Sequence, residues 1–386
     1  MISATLSLLL LGVASFPFIY YALVLYSSWR FFRQPVAPLP RQSGFTPPIS
    51  NLKPVRGLDP DAYENFASFC RQDYPEYEIV FCVDSSDDPV MPVIEKLQRD
   101  FPDRPIRVLF GSGRKATNDK VAKLARLTEE ARYEHLVISD SDARVKPNYL
   151  RSVIAPLADR RVGAATCFYV STGEQSAIDR LQSIGMVSDF YGGLLVAWQL
   201  DGVKFALGPT IATTRTHLAK FGGYSAIENK PADDLLVGRL IAETGYEVQL
   251  LPYTIETVAD YQSLRELLSK RIRWLVVMRN MRPWGHLGLV FTQGLLWCLI
   301  AFAVRPTWPV GLGLFSVYLA FRIAMTWTIG VWGLKRRAFL RTMPLVVVWD
   351  ALACFLWLLS FLRSTIHWRG GRYHIRNGML VPSKSA

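Results

Sequence analysis

The sequence has long stretches without charge, and acidic residues are nearly missing from its C-terminal part. No Asp, Glu, Lys, Arg or His occurs from Ile2 to Trp29, and about 20 apolar residues are enough to cross a bilayer core. From Pro283 to the C-terminus there is one acid, Asp350, against 11 lysines and arginines, so this part carries +10 of the net charge of +12. Basic loops between apolar segments are typical of the cytoplasmic side of a membrane. A nucleic-acid-binding protein would have a basic stripe on its soluble part, and this sequence has none, so no nucleic-acid partner is predicted.

The five cysteines form no CxxC pair and no Cys/His pattern of a metal site. Internal repeats and low-complexity tracts are also missing. The cysteines are predicted to be buried free thiols in a reducing compartment. The soluble part is therefore expected to lie on the cytoplasmic side of a bacterial inner membrane or an equivalent membrane.

Composition divides the chain into six segments. They are an N-terminal transmembrane anchor (1–33), a proline-rich linker (34–48), an α/β domain (49–260), an interfacial amphipathic helix (261–284), membrane segments (285–362) and a cytoplasmic tail (363–386). The first apolar segment has its arginines after it and none before it. This order favours an uncleaved anchor with its N-terminus outside over a signal peptide.

Strand-like and helix-like runs alternate within the α/β domain. The runs Ile79–Val83, Ile106–Phe110 and His135–Ser139 are apolar and end in polar clusters, whereas Val90–Asp100 and Lys120–Glu130 have helical periodicity. This alternation predicts a parallel, doubly wound sheet whose ligands bind at the carboxyl ends of the strands.

Gln262–Arg282 interleaves apolar and basic residues, which is typical of a helix lying in the membrane interface. Full membrane spans are predicted near Ile2–Tyr26, His286–Val304 and Trp308–Leu334. Pro344–Leu362 is predicted to be interfacial or re-entrant, because a fourth crossing would put the basic tail outside. A true fourth span is the alternative.

The strongest local motif is Asp140-Ser141-Asp142, directly after a predicted strand. Two carboxylates separated by one residue suit a hard divalent cation, Mg²⁺ or Mn²⁺, that also binds diphosphate oxygens. A solvated turn is the other interpretation.

Two further acidic clusters follow apolar runs or loops. Asp84, Asp87 and Asp88 either accept hydrogen bonds from a base or ribose, or cap the helix that follows. Asp233 and Asp234 either complement a helix dipole or supply a general base for an alcohol nucleophile.

Lys270-Arg271-Ile272-Arg273-Trp274 lies in the amphipathic helix. Its cations either neutralise a departing diphosphate or extend from the interface towards water.

In this order the motifs resemble the lipid-directed glycosyltransferases of the GT-A fold, and more closely the ceramide glucosyltransferase family. The resemblance runs nearly from end to end. It rests on 52-LKPVRG-57, 87-DDP-89, 118-NDK-120, 140-DSD-142, Gly208, Asp234 and 368-WRGGRY-373.

The resemblance implies a UDP-sugar donor, a membrane-lipid acceptor and a site for each. Asp234 would be the base, acting with Arg273 and Trp274 of a (Gln/Arg)-x-x-Arg-Trp motif, in which Lys270 departs from the family. The metal would be held by Asp142 and Asp140. Contacts to the nucleotide-sugar would come from Pro54, Asp87, Asp88, Lys120, Asp140, Gly208, Lys270, Arg369 and Arg372.

The resemblance implies transfer of a hexose, glucose, to the primary hydroxyl of ceramide with inversion. Asn65–Pro75 also resembles bacterial enzymes that add an amino sugar to hopanoids, so transfer of N-acetylglucosamine or another hexose to a hopanoid or diacylglycerol is the alternative. A nucleotide-sugar-binding scaffold would not need a base such as Asp234. A transporter would need more charged residues within its spans than Arg322 and Asp350.

Overall fold

The computed structural model describes residues 4–34, 44–172, 176–258, 263–368 and 371–383. Its strands are β1 Ile49–Pro54, β2 Tyr77–Val83, β3 Ile106–Phe110, β4 His135–Ile138, β5 Ala143–Arg144, β6 Val162–Thr172, β7 Ile211–Thr214, β8 Glu247–Val258, β9 Thr365–Trp368, β10 Gly371–Arg376 and β11 Met379–Pro382. Its helices are α1 Ala4–Val13, α2 Phe16–Arg33, α3 Ala62–Cys70, α4 Met91–Asp100, α5 Asp119–Glu130, α6 Tyr149–Ile154, α7 Ala177–Gly185, α8 Tyr191–Asp201, α9 Arg215–Ala219, α10 Asp233–Glu243, α11 Leu264–Met281, α12 Pro283–Gly288, α13 Gly294–Val304, α14 Trp308–Thr326, α15 Phe339–Thr342 and α16 Val346–Leu362.

The α/β domain is built on an eight-stranded sheet with the order β3-β2-β1-β4-β7-β6-β8-β5. Strands β1 to β4 are parallel, as the alternating pattern predicts. Every residue of β1 and β2 is buried, as expected of strands covered on both sides, although β1 includes the polar residues Ser50, Asn51 and Lys53. The carboxyl ends of β1, β2 and β4 therefore meet at one edge of the sheet.

The second half of the sheet is mixed and not purely parallel. Strand β7 runs antiparallel to β4, with Ile211 opposite Ile138. It therefore starts at the edge where β4 ends, and this places Gly208 beside Asp140. The alternation of strands and helices does not reveal this reversal, because β7 is only four residues long.

Three helices are long and apolar enough to cross a membrane within the described residues: Leu9–Arg33, Trp308–Gly333 and Phe339–Leu362. The structure differs from the predicted spans at two places. The predicted span His286–Val304 is a pair of helical segments, Pro283–Thr292 and Gly294–Val304, bent by 59°. The predicted interfacial segment Pro344–Leu362 is part of a helix with the length and composition of a span.

The membrane helices pack directly on the α/β domain. Phe31 of α2 makes edge contacts with Phe168 of β6 and Trp198 of α8, with ring centroids 5.6 Å and 5.0 Å apart. The amphipathic helix α11 starts at Ser263, whose hydroxyl accepts from the backbone N–H of Glu266. The observed helix agrees with the predicted Gln262–Arg282 in extent, although Gln262 lies outside the described residues.

Helices α11 and α16 lie side by side and run in the same direction. In the N-terminal half of each helix, the Arg271 guanidinium of α11 lies 4.7 Å from the Trp349 ring of α16. Near their C-terminal ends Arg279 donates to the carbonyl oxygen of Arg363 at 2.7 Å. The three-stranded tail sheet β9–β11 follows at once, and its Ile366 packs on Val276 of α11.

Candidate active site

Asp140 and Asp142 lie at the edge where β4 ends, above a buried lysine. Lys53 of β1 is fully buried, and its Nζ lies 3.0 Å from Ser139 Oγ and 3.2 Å from the backbone oxygen of Asp140. The same ammonium lies 3.4 Å from the centroid of the Phe69 ring. The buried ammonium of Lys53 thus holds the backbone of the loop that carries the two carboxylates.

Gly208 is the point where two carboxylates meet. A Cβ at this position would lie 3.2 Å from Asp234 Oδ2 and 3.3 Å from Asp140 Oδ2. The backbone N–H of Gly208 donates to Asp234 Oδ2 at 3.0 Å, and the N–H of Leu235 donates to Asp234 Oδ1 at 2.8 Å. A larger side chain at Gly208 would push the carboxylates apart, so the glycine fits a close approach of the two groups.

Lys120 joins the same group of carboxylates from helix α5. Its Nζ lies 2.7 Å from Asp140 Oδ1 and 3.3 Å from Asp233 Oδ2, and its side chain is 13% exposed. The structure therefore brings together the predicted residues Asp140, Lys120, Gly208 and Asp234. Asp233 faces the lysine, whereas Asp234 faces Gly208.

The electrostatics of the site favour proton exchange near neutral pH. Burial raises the pKa of Asp142 to about 7, and the charge of Asp140 adds to this effect while Lys270 opposes it. Burial also raises the pKa of Asp234 to about 6, again with help from Asp233 and against Lys120. Carboxyl groups with such raised values are typical of general bases.

The pKa values of Lys53 and Lys120 are shifted in opposite directions. Burial lowers the pKa of Lys53 to about 7, although Asp140 and Asp142 act against it. Burial would also lower the pKa of Lys120, but the charges of Asp140 and Asp233 outweigh it and the pKa is raised. Lys120 therefore remains a cation beside the carboxylates at neutral pH.

The donor set fits a divalent cation that shares its ligands with a substrate. Within the described ranges, no group of three or more His, Cys, Asp or Glu side chains is placed to hold a metal ion. Asp140 and Asp142 offer two carboxylates, and the charge of Asp140 adds to the effect of burial in raising the pKa of Asp142. Mg²⁺ is commonly bound by one or two carboxylates together with substrate phosphates.

The three acids after β2 have different environments. Asp88 is buried and accepts hydrogen bonds from the N–H groups of Gly57, at 3.1 Å, and Val90, at 3.0 Å. Asp87 is exposed. Asp84 pairs with the buried Lys123 at 2.5 Å.

Asp88 thus organises the loops around the end of β1, where the predicted Pro54 is buried as the last residue of the strand. Asp84 directly follows β2 and lies beside Lys123, whose Nζ also donates to the Val55 carbonyl at 2.9 Å.

Helix α11 faces the site with the predicted basic motif. Lys270 is close enough to Asp142 to lower its pKa, and it lies 5.7 Å from the ring of Trp274. Arg273 lies 5.8 Å from the ring of Trp368 in the tail sheet. Trp274 packs against Phe190 with 6.0 Å between the ring centroids.

One of the two predicted tail arginines, Arg372, contacts no carboxylate in the part of the chain that the structure describes. Arg372 is exposed, and its Nε lies 3.4 Å from His367 Nε2 within the tail sheet. Arg369 lies outside the described residues.

Sequence reasoning missed Lys53 and Lys123 as parts of the site. Lys53 stands in the quoted run Leu52-Lys53-Pro54, where a lysine within an apolar strand is an available signal. Lys123 has no such signal, since a lysine one helical turn after Asp119 looks like a surface ion pair until its burial is known.

The mixed α/β sheet resembles that of the GT-A glycosyltransferases, and it is combined with three candidate membrane helices among the described residues. The fold is similar to that of a mannosyltransferase from Pyrobaculum calidifontis solved in complex with GDP-Man and Mn²⁺. The TM-score is 0.60 with 20% sequence identity, and the match covers 89% of this chain and 99% of the other.

The chain belongs to glycosyl transferase family 21, whose profile matches residues 9–381. Among curated proteins it is similar to ceramide glucosyltransferase 3 of Caenorhabditis elegans, with 22% identity over 357 residues, 89% of this chain and 76% of the relative. Ceramide glucosyltransferase 1 of the same organism is also 22% identical, over 88% of this chain and 74% of the relative. The expected resemblance and the hexosyltransferase class are thereby confirmed.

Proposed function

We propose that the protein transfers a hexose, glucose, from a UDP-sugar to the primary hydroxyl of ceramide in the cytoplasmic leaflet, with inversion and with Mg²⁺ or Mn²⁺. The observation that carries this proposal is the meeting of Asp140 and Asp234 at Gly208, on the side of the domain that faces α11. The names of the curated relatives support the choice of sugar and acceptor.

Each side chain of the cleft has a role in a single displacement. Asp234 accepts the proton of the lipid hydroxyl while that oxygen attacks the anomeric carbon and the nucleoside diphosphate departs. The N–H groups of Gly208 and Leu235 hold the carboxylate in place for this transfer. Asp140 and Asp142 would hold the cation, which when bound neutralises charge on the departing diphosphate.

Cations of the protein surround the place where negative charge develops. Lys120 approaches from α5 and Lys270 from α11, and fixed positive charge there stabilises the departing diphosphate. Because α11 also lies in the membrane interface, the lipid hydroxyl reaches Asp234 without the lipid leaving the bilayer.

The test is to supply wild-type membranes with labelled UDP-glucose or UDP-N-acetylglucosamine and with ceramide, a hopanoid or diacylglycerol. We expect glucosylceramide as the labelled product, with the anomeric configuration opposite to that of the donor. Label found only in a hopanoid or diacylglycerol would refute the acceptor. Donor binding without any labelled lipid would refute transfer and favour a binding scaffold.

A further inference from the structure

The loop Glu228–Ala232 leads directly into the two acids of helix α10. Ala232, the residue before Asp233, has φ +55° and ψ +59°, in the left-handed region that residues with a Cβ rarely adopt. Such a conformation persists only where the surroundings hold it in place. The loop therefore needs external contacts if Asp234 is to be positioned accurately.

Asn118 and Asn229 supply these contacts on one side of the loop. The N–H of Asn118 donates to the Glu228 carbonyl at 3.0 Å, and Asn118 Nδ2 donates to the Lys230 carbonyl at 3.0 Å. In return, Asn229 Oδ1 accepts from the N–H of Thr117 at 2.9 Å. The fully buried Asn118 also caps helix α5 through the N–H of Val121.

The same hydrogen bonds join the start of helix α5 to the loop before helix α10. Helix α5 begins one residue after Asn118 and carries Lys120, whose ammonium contacts Asp140 and Asp233. The loop held by Asn118 ends at Asp233 and Asp234. The hydrogen bonds of Asn118 and Asn229 therefore act together with the ion pairs of Lys120 in setting the separation of the lysine from the acids.

The tail sheet completes the arrangement on the other side of the loop. The N–H of Leu380 in β11 donates to the backbone oxygen of Asn229 at 2.8 Å. The Leu380 side chain is buried with Val276 and Val277 of α11, and Ala232 packs on this cluster. Because the N–H of Leu380 points to Asn229, it is not used in pairing β11 with β10.

We propose that Asn229 is a positioning residue of the transfer reaction, at a junction of Asn118, Asn229 and Leu380 that we name the Asn229 junction. It holds Asp234 in the geometry that proton abstraction requires and makes this geometry depend on docking of the tail sheet. The proposal rests on the proposed function for its catalytic part and on the hydrogen bonds alone for its structural part.

The central comparison is Asn229→Ala with Asn148→Ala in the full-length enzyme. Each variant loses one side-chain hydrogen bond, since Asn148 Oδ1 accepts from the Tyr253 hydroxyl at 3.0 Å, and among the described residues the Asn148 side chain contacts none of the acids of the site. We expect Asn229→Ala to lower kcat roughly tenfold or more, because small misplacement of a catalytic group is costly. The KM for the donor should change little, and Asn148→Ala should resemble wild type.

Two further variants separate positioning from simple loss of structure. Asn229→Asp keeps an oxygen that accepts from Thr117 and should retain kcat. Leu380→Pro and Leu380→Ala both shorten the buried side chain, but only the proline removes the N–H, and proline is tolerated in an edge strand. A lower kcat for Leu380→Pro than for Leu380→Ala is the expected result.

Hydrogen exchange of residues 228–236, measured in wild type and variants, tests the junction without any turnover. Faster exchange in Asn229→Ala than in Asn148→Ala is expected. Equal exchange, or equal kcat in these two variants, would overturn the junction. If wild type transfers no sugar while exchange responds as expected, the proposed function fails and the junction stands as a structural one.

Discussion

At the scale of single residues, the neighbouring acids Asp233 and Asp234 have different partners. The Asp234 carboxylate accepts hydrogen bonds from the backbone N–H groups of Gly208 and Leu235, whereas Asp233 is paired with Lys120. We expect Asp234→Asn to keep nucleotide-sugar binding and to slow transfer by about 10²–10⁴-fold, the usual contribution of a general base. Asp233→Asn is the matched control and should do less harm. Calorimetric binding together with initial rates checks this, and the opposite ranking would reverse the assignment.

The raised pKa of Asp234 predicts the acid limb of the pH profile. The carboxylate must be deprotonated to accept a proton, so kcat should fall as the pH drops through about 6. Since the charge of Asp233 helps to raise this pKa, Asp233→Asn should move the limb to lower pH. Rates measured from about pH 5 to about pH 8 decide the matter, and a limb that stays in place in Asp233→Asn would contradict the assignment of the titrating group.

The raised pKa of Asp142 predicts how the affinity of the site for a divalent cation changes with pH. This pKa of about 7 means that a proton competes with a divalent cation for the carboxylate. Apparent Mg²⁺ or Mn²⁺ affinity should therefore increase as the pH rises through about 7. Asp142→Ala, like chelation of wild type, should abolish transfer. Full synthesis of glycolipid in the presence of excess chelator would rule out a metal-dependent mechanism.

The site residues that directly follow a strand could be predicted from the sequence. The residues that support them through buried side-chain contacts could not. Asp140 stands where a polar cluster ends an apolar run, so its place at the carboxyl edge of the sheet follows from the topology of parallel strands. Its meeting with Asp234 depends on the antiparallel strand β7, which the alternation of strands and helices does not reveal. The support by Lys53 and the junction of Asn118 with Asn229 depend on side-chain directions. These directions are fixed only when β1, α5 and the loop before α10 pack together.

At the scale of secondary-structure elements, the helix Phe339–Leu362 has both ends near the catalytic domain. Before it, Arg336 pairs with Glu256 of β8. After it, the tail sheet is tied to Asn229. A straight helix of 24 residues is about 36 Å long, so a crossing would carry one end to the opposite side. These contacts favour an in-plane position for the helix, with the bent pair Pro283–Val304 as the third crossing.

Cysteine labelling of sealed cells with an impermeant reagent tests this topology. We expect Thr307→Cys, in the exposed turn between α13 and α14, to be labelled. Ser383→Cys in the tail and Ser112→Cys in the α/β domain should both be protected, because the tail lies on the catalytic side. Labelling of Ser383→Cys together with protection of Ser112→Cys would show that Phe339–Leu362 is a fourth crossing.

The boundaries of helices and strands could be predicted from the sequence where a periodic apolar pattern stops at a polar cluster. The predicted strand Ile106–Phe110 is observed with the same limits, and α5 begins only one residue before its predicted start. The bend at Gln293 was not predictable, because hydropathy measures apolar content and not direction. In the structure Tyr21 of α2 reaches this bend, where its hydroxyl lies 3.0 Å from the N–H of Gly294.

At the scale of the whole molecule, a buried ion pair joins two membrane helices, and its arginine also donates hydrogen bonds to Ser188 in the rest of the chain. Arg322 of α14 donates to Asp350 of α16 at 2.7 Å and to Ser188 Oγ, between α7 and α8, at 3.2 Å. The side chains of Arg322 and Asp350 are 5% and 10% exposed. These charges within apolar segments thus connect helices, which removes the main argument for a transport pathway.

Removing one partner of this pair should destabilise the protein strongly. Asp350→Ala leaves a buried guanidinium without its carboxylate, and we expect a loss of about 3–5 kcal/mol. The double variant Arg322→Met/Asp350→Leu should be more stable than Asp350→Ala. Glu243→Ala, which breaks the exposed pair with Arg239, is the control and should cost at most about 1 kcal/mol. Thermal unfolding in detergent is the measurement, and equal midpoints for Asp350→Ala and Glu243→Ala would contradict the role of the pair.

The side-by-side packing of α11 and α16 has a consequence for the bilayer itself. Two helices inserted along one leaflet occupy area among its headgroups without adding area to the opposite leaflet. Such an asymmetric insertion acts as a wedge, and its binding depends on curvature and on lipid packing defects. With both helices in the plane of the leaflet and the lipid acceptor proposed above, the leaflet that supplies the acceptor is the leaflet whose lateral pressure the enzyme changes. On this proposal we expect faster transfer on small, strongly curved vesicles than on flat membranes of the same composition.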